Sequence, residues 1–162
     1  MEKLIAALLC LFCVPAFAAF PVVPVPADAQ AAMLESDDPQ LAANKRLAYD
    51  LYRIVTAKQL DQLETVASTD FINHNPNEES GFEGMKEFLS RVIPGEPRPI
   101  AETLENLVTI FAEGDMVILA FARELDHPDI PGEKYTSTWF DMFRVQDGLV
   151  VEHWDAATIP AE

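Results

Sequence analysis

Near the end of the chain, Asp147-Gly148-Leu149-Val150-Val151-Glu152-His153-Trp154-Asp155 reads as a turn running into a strand. Side chains alternate across a strand, so His153 and Asp155 fall on one face and Trp154 on the other. An imidazole and a carboxylate sharing a face are the parts of a proton-transfer pair. A carboxylate in mostly apolar surroundings suits removal of a proton from the carbon next to a carbonyl, because desolvation favours its protonated form. Asp155 is the first choice for that base. His153 then donates to the developing enolate oxygen or sets the protonation of a neighbouring acid. The competing reading of His153 is a core histidine anchored to a carboxylate.

A second carboxylate interrupts an apolar strand just upstream. Alternation over 138–145 puts Trp139, Asp141, Phe143 and Val145 on one face, and Phe140, Met142 and Arg144 on the other. A carboxylate on a buried face is costly unless paired, so Asp141 calls for a donor such as His153 or His74. Arg144 or a loop amide could satisfy it too, but alternation sends Arg144 the other way. His74 lies in Phe71-Ile72-Asn73-His74-Asn75-Pro76, a short strand or turn, from which His74, Asn75 and Asn73 can line a pocket mouth; a surface turn capped by asparagine is the alternative. His127 falls in a loop rich in proline and acid and reads as a solvated rim residue. Trp139, Phe143, Leu107, Phe111, Leu119 and Phe121 read as core, with some of them, Trp139 and Phe143 first, lining whatever cavity remains. His74, His153, Asp141 and Asp155 are the ingredients of a two-histidine carboxylate metal set, but no pair has the close helical spacing such sites use, so neither metal nor cofactor is expected.

The 162 residues, 49% of them hydrophobic, suffice for one domain with a core. A net charge of −16 opposes general attraction to phosphate backbones or anionic lipid, which argues against a nucleic-acid partner. Residues 1–18 read as a signal peptide: Lys3, an apolar run from Leu4 to Val14 too short to span a bilayer, and Ala16-Phe17-Ala18 as cleavage site. Cys10 and Cys13 both fall inside it, so the expected mature protein has no disulfide or thiol chemistry and no stable membrane insertion. Residues 19–38, rich in proline and alanine, read as an extended leader.

The domain proper is expected over 39–162. Ser36-Asp37-Asp38-Pro39 supplies an N-cap and a proline at the first helical position, followed by Leu47, Ala48, Leu51, Tyr52 and Val55 at helical spacing. A second helix is expected over 58–66, ending near Ser68-Thr69-Asp70, and a third opened by Gly84 and stopped by Pro94. Strands follow over 103–112, 116–125, 135–145 and 149–158, with short turns that imply antiparallel pairing. Helices first and a long curled sheet second make an α+β fold: a cone-shaped, curved antiparallel sheet covered by about three N-terminal helices.

Asn73-His74-Asn75-Pro76, Gly81-x-x-Gly84, Glu113-Gly114-Asp115-Met116-Val117 and Phe140-Asp141-Met142-Phe143-Arg144-Val145, the last joined by a turn to Glu152-His153-Trp154-Asp155, occur in an order that resembles the SnoaL-like polyketide cyclase family. That family belongs to the nuclear transport factor 2-like superfamily of cone-shaped α+β barrels. The resemblance runs from about Leu47 onward and implies a pocket at one end of the cone, an aspartate acid/base that either Asp155 or Asp141 matches, and a homodimer through the outer sheet face. Chemistry follows less directly, because one fold hosts many activities.

Two functions are therefore expected. One is an enzyme, secreted or periplasmic, that moves a proton next to the carbonyl of a small hydrophobic molecule, as an aldol cyclase or isomerase does. The other is an exported module of the same fold that binds a small molecule or dimerises without chemistry.

Overall fold

The computed structural model describes residues 21–159. The signal-peptide reading, with Cys10 and Cys13, and the last three residues lie outside them. No helix among the described residues is long and apolar enough to cross a membrane.

The leader is only partly extended. Pro26 precedes a short helix, α1 (Ala27–Met33), where expectation had none. Its sequence, ADAQAAM, is free of proline and dominated by alanine, the best helix former, so the prolines act only up to its start. The segment is tied to the domain by Val25 N–H to Leu107 O at 2.7 Å and by buried Gln30, whose Nε2 donates to Leu104 O at 2.7 Å.

Helix α2 (Pro39–Thr56) starts as the sequence predicts, with the Asp38 carboxylate accepting from Gln40 N–H at 2.7 Å and Pro39 at the first position. It buries Ala48, Tyr49, Leu51 and Ile54 and packs on β2 (Leu107–Glu113) and β3 (Met116–Asp126). Two expectations fail next. The helix expected over 58–66 is a single 3-10 segment (Leu60–Thr65), and Ser68-Thr69-Asp70 belongs to a strand, β1 (Ala67–Asn73). Helix α3 (Phe82–Val92) begins before Gly84; its cap is Gly81, whose φ of 92° is open to glycine at little cost.

The sheet is completed by β4 (Lys134–Gln146) and β5 (Leu149–Asp155), in the order β1-β5-β4-β3-β2. Neighbours among β2 to β5 pair antiparallel, as expected, whereas β1 joins β5 in parallel, with Asn73 opposite His153. The inner face carries Val117, Leu119 and Phe121 on β3 beside Phe143, Asp141 and Trp139 on β4. On β5, Val150 and His153 both face inward although they are three apart. A bulge resolves this: Val145 pairs with Val150 and Arg144 with Glu152, leaving Val151 as the extra residue that resets the alternation. His153 and Asp155 owe their inward direction to that bulge. Phe111, expected in the core, points outward on β2 and is 50% exposed.

Candidate functional site

The inner sheet face, α2 and α3 enclose a cavity of about 810 Å³. Its wall is mostly apolar, with Leu51, Val55, Phe71, Met85, Phe121 and Phe143 among the lining groups. Polar groups gather at one place, where Asp141 on β4 stands directly opposite Asp155 on β5. Two like charges in cross-strand register repel, so their partners decide whether the arrangement holds.

Asp141, 3% exposed, has a partner on each oxygen: Oδ2 accepts from the Tyr52 hydroxyl on α2, and Oδ1 lies 2.9 Å from His153 Nε2. Tyr52 keeps its proton, because burial first and the Asp141 charge second push its phenol well above the ordinary tyrosine range. His153 is clasped between Phe143, with centroids 4.9 Å apart, and Phe71 at 6.4 Å. Its other nitrogen, Nδ1, lies 3.2 Å from Asn73 Oδ1. The Asn75 backbone N–H also donates to Asn73 Oδ1, at 2.9 Å, which identifies that atom as oxygen and makes Nδ1 the protonated nitrogen. Between Nε2 and Asp141 there is then room for one proton, held by either atom.

Asp155 is fixed differently. Asn75 Nδ2 donates to Oδ2 at 2.8 Å and Ala157 N–H to Oδ1 at 2.9 Å. Asn75 is itself oriented by Asn77 N–H, which donates to its Oδ1 at 2.8 Å. Neither donor to Asp155 can accept a proton in return, whereas His153 can accept one from Asp141. The two aspartates thus differ in their partners: Asp141 faces an imidazole, Asp155 only amide donors.

Asn73, Asn75, Trp139, Phe143, His153, Asp141 and Asp155 all line the cavity, as expected. His74 does not. It follows Asn73 in the alternation of β1 and faces outward, stacking on Trp154 with centroids 4.6 Å apart and bonding Glu152 at 3.1 Å. With Arg144 it holds the Glu152 carboxyl below the ordinary range, the His74 bond contributing most. His127 sits on the β3–β4 loop, where its Nδ1 accepts from Asp129 N–H at 3.1 Å.

Tyr52, Glu78, Arg91 and Arg123 are cavity residues that reading the sequence missed. Tyr52 was visible only as one of an apolar helical row. Glu78, in the loop between β1 and α3, is the carboxyl pushed up to about 7, chiefly by burial, with the nearby Asn73 amide and His153 opposing the rise. The Asn73 Nδ2 atom forms no hydrogen bond of good geometry, although Glu78 is near enough to feel its dipole. A raised carboxyl contributes stability that is complete below its unfolded value and lost as pH rises through its folded value. Glu78→Gln should therefore match the parent below about pH 4.5 and exceed it by about 1–2 kcal/mol above about pH 8, after discounting for partial exposure. Urea unfolding of both proteins across that range measures the difference, and a constant gap would contradict it.

One ligand atom from each of Asp141, His153 and Asp155 lies within 4.8 Å of the others, so among the described residues these three could hold a cation. Nε2 and Oδ1 are already engaged with each other across 2.9 Å.

The sequence profile of the SnoaL-like domain matches residues 48–153, from within α2 to within β5. The chain belongs to the SnoaL-like domain family. No curated protein sequence matches it. Among solved structures, this SnoaL-like chain is similar to a proposed SnoaL-like polyketide cyclase from Jannaschia sp. CCS1, with 18% identity, a TM-score of 0.53 and coverage of 75% of this chain and 91% of that one. AclR, a proposed hydroxylase from Streptomyces galilaeus, is 22% identical with a TM-score of 0.52, covering 73% and 90%. An LEH-like epoxide hydrolase from M. tuberculosis is 16% identical with a TM-score of 0.52, covering 74% and 81%. At such identities the likeness establishes the nuclear transport factor 2-like fold and leaves the chemistry to this chain's own residues.

Proposed function

We propose that this SnoaL-like protein, exported on the signal-like segment at its start, is a cofactor-independent enzyme. It takes a small apolar carbonyl compound into the cone and moves a proton on the carbon next to the carbonyl, as in an aldol cyclisation or an isomerisation. The observation that carries this is the Asp141–His153 pair, 2.9 Å apart inside a mostly apolar cavity. In the form in which the proton between them sits on His153, Asp141 removes the carbon-bound proton and returns it to the substrate at its new position, while Tyr52, kept neutral by burial, turns its hydroxyl to the developing enolate oxygen. Asp155, held by Asn75 and Ala157, sets a second carboxylate opposite Asp141 at the polar end of the cavity.

The test is exchange of carbon-bound hydrogen for deuterium in a panel of apolar ketones, followed by NMR. Exchange faster than in buffer supports the enzyme. Ketone binding without exchange supports the second reading, a binding module, for which the mostly apolar wall speaks.

We also propose a homodimer through the outer sheet face. That face exposes Phe111, Phe140 and Ile72 around Met142 and Trp154, and its charges are matched locally, Arg144 by Asp115 and Glu152, and Glu152 also by His74. A second copy therefore meets little repulsion there despite the −16 charge of each chain. Light scattering should give a dimer mass for the parent and a monomer mass for Phe111→Glu/Phe140→Glu; a parent monomer would refute the dimer.

A further inference from the structure

The cavity mouth carries a charge pattern that the apolar wall does not explain. Along β3 the inward residues run Val117, Leu119, Phe121, Arg123, and exposure rises from nil at Val117 to open at Arg123, so Arg123 marks the open end. Its guanidinium lies 4.4 Å from the Trp139 ring centre. Arg91, near the end of α3, also lines the cavity, 5.6 Å from the Phe88 ring centre, and is likewise exposed.

These two arginines differ from the chain's other cations. Among the described residues, Lys45, Lys58 and Arg98 donate to backbone carbonyls, and Arg46, Arg53, Lys86, Lys134 and Arg144 pair with carboxylates. Arg91 and Arg123 have neither kind of partner there. Acidic residues number 27 against 11 basic ones, and Glu78 and Glu105 line the same cavity, so carboxylates are not scarce. A guanidinium held over an aromatic ring is supported by it and can keep N–H groups free for a planar oxyanion.

From these two unpaired, ring-supported arginines at the mouth we propose that the ligand is an apolar compound ending in a carboxylate, its anionic end held by Arg123 and Arg91. The carbonyl end then reaches inward to Tyr52 and Asp141. This substrate class rests on the proton-transfer reading for its carbonyl, but the carboxylate grip rests on the arginines alone. The negative charge of the whole chain slows approach of such an acid and does not forbid binding, because the attraction acts within a Debye length of the mouth.

The experiment is calorimetric titration of the intact protein with benzoyl-substituted propionate, butyrate and valerate, each beside its methyl ester. At least one acid should bind about tenfold or more tightly than its ester, and Arg91→Gln/Arg123→Gln should bring the two within about twofold. Added salt should weaken the acid and spare the ester. Equal binding of acid and ester, a preference that survives the double substitution, or no binding by any acid overturns the proposal. Deuterium exchange in the same samples separates the two readings. Acid preference without exchange keeps the arginine grip and removes the proton transfer; exchange on acid and ester alike, without preference, does the reverse.

Discussion

Asp141→Asn should slow deuterium exchange next to the carbonyl of a bound ketone by about 10²–10⁴-fold, the range general-base removal gives, while changing stability by less than about 1 kcal/mol. The second half follows from the hydrogen bonds. An asparagine oxygen still accepts from Tyr52, and its NH₂ donates to His153 Nε2, which is free to accept because Nδ1 carries the ring proton. Tyr52 and His153 both keep their partner, and the ionisable carboxyl alone is lost. NMR exchange rates and urea unfolding, measured on one preparation, test both halves. If Asp155→Asn abolishes exchange and Asp141→Asn does not, the order of the two aspartates returns to the one the sequence suggested. His153→Gln keeps a polar side chain in the pair but cannot carry a proton, and should fall in the same range.

The part of this site that was legible in the sequence is the part on regular strands. Alternation over β4 and the end of β5 correctly grouped Trp139, Asp141 and Phe143, and His153 with Asp155, because apolar and polar side chains there obey a period of two. The turns Glu113-Gly114-Asp115 and Gln146-Asp147-Gly148 made the antiparallel order readable, with Gly114 and Gly148 both at positive φ. The bulge at Val151 was invisible, since Val150-Val151 fits a continuous strand as well as a bulged one. The start of β1 was hidden because Ser68, Thr69 and Asp70 are turn formers, and a parallel partner far along the chain overrides that preference. For Phe71 to Pro76 the sequence left strand and turn both open; the strand alternation places Phe71, Asn73 and Asn75 inward and His74 outward. Tyr52 and Glu78 are a different case. The phenol meets Asp141 across 89 residues of sequence, and the burial that raises Glu78 comes from a loop folded over the cavity. No local pattern records either.

That loop is the basis of the second large effect. Gly84→Val should destabilise the protein by about 3 kcal/mol, at the upper end of what overpacking costs. A Cβ at Gly84 would stand 2.5 Å from Glu79 O and 2.9 Å from Glu79 C, and both are backbone atoms that no rotamer change can move. The first turn of α3 thus rests on the chain leading out of Asn75, Asn77 and Glu78. Gly81, capping the same helix, binds that chain to β1 through its N–H to Phe71 O at 2.6 Å. Displacing Glu79 should therefore loosen the Asn75 bond to Asp155 and let water reach Glu78, lowering its pKa from about 7 toward the ordinary 4.5. Gly84→Ala should cost less, because alanine regains up to about 1 kcal/mol of helix propensity that glycine forgoes. Thermal or urea unfolding gives the stability, and NMR titration of the Glu78 carboxyl gives its pKa in the same variants. A valine variant within about 0.5 kcal/mol of the parent, with Glu78 still near neutral, would mean that α3 moves away from Glu79 freely and that the loop owes its position over the cavity to something other than this contact.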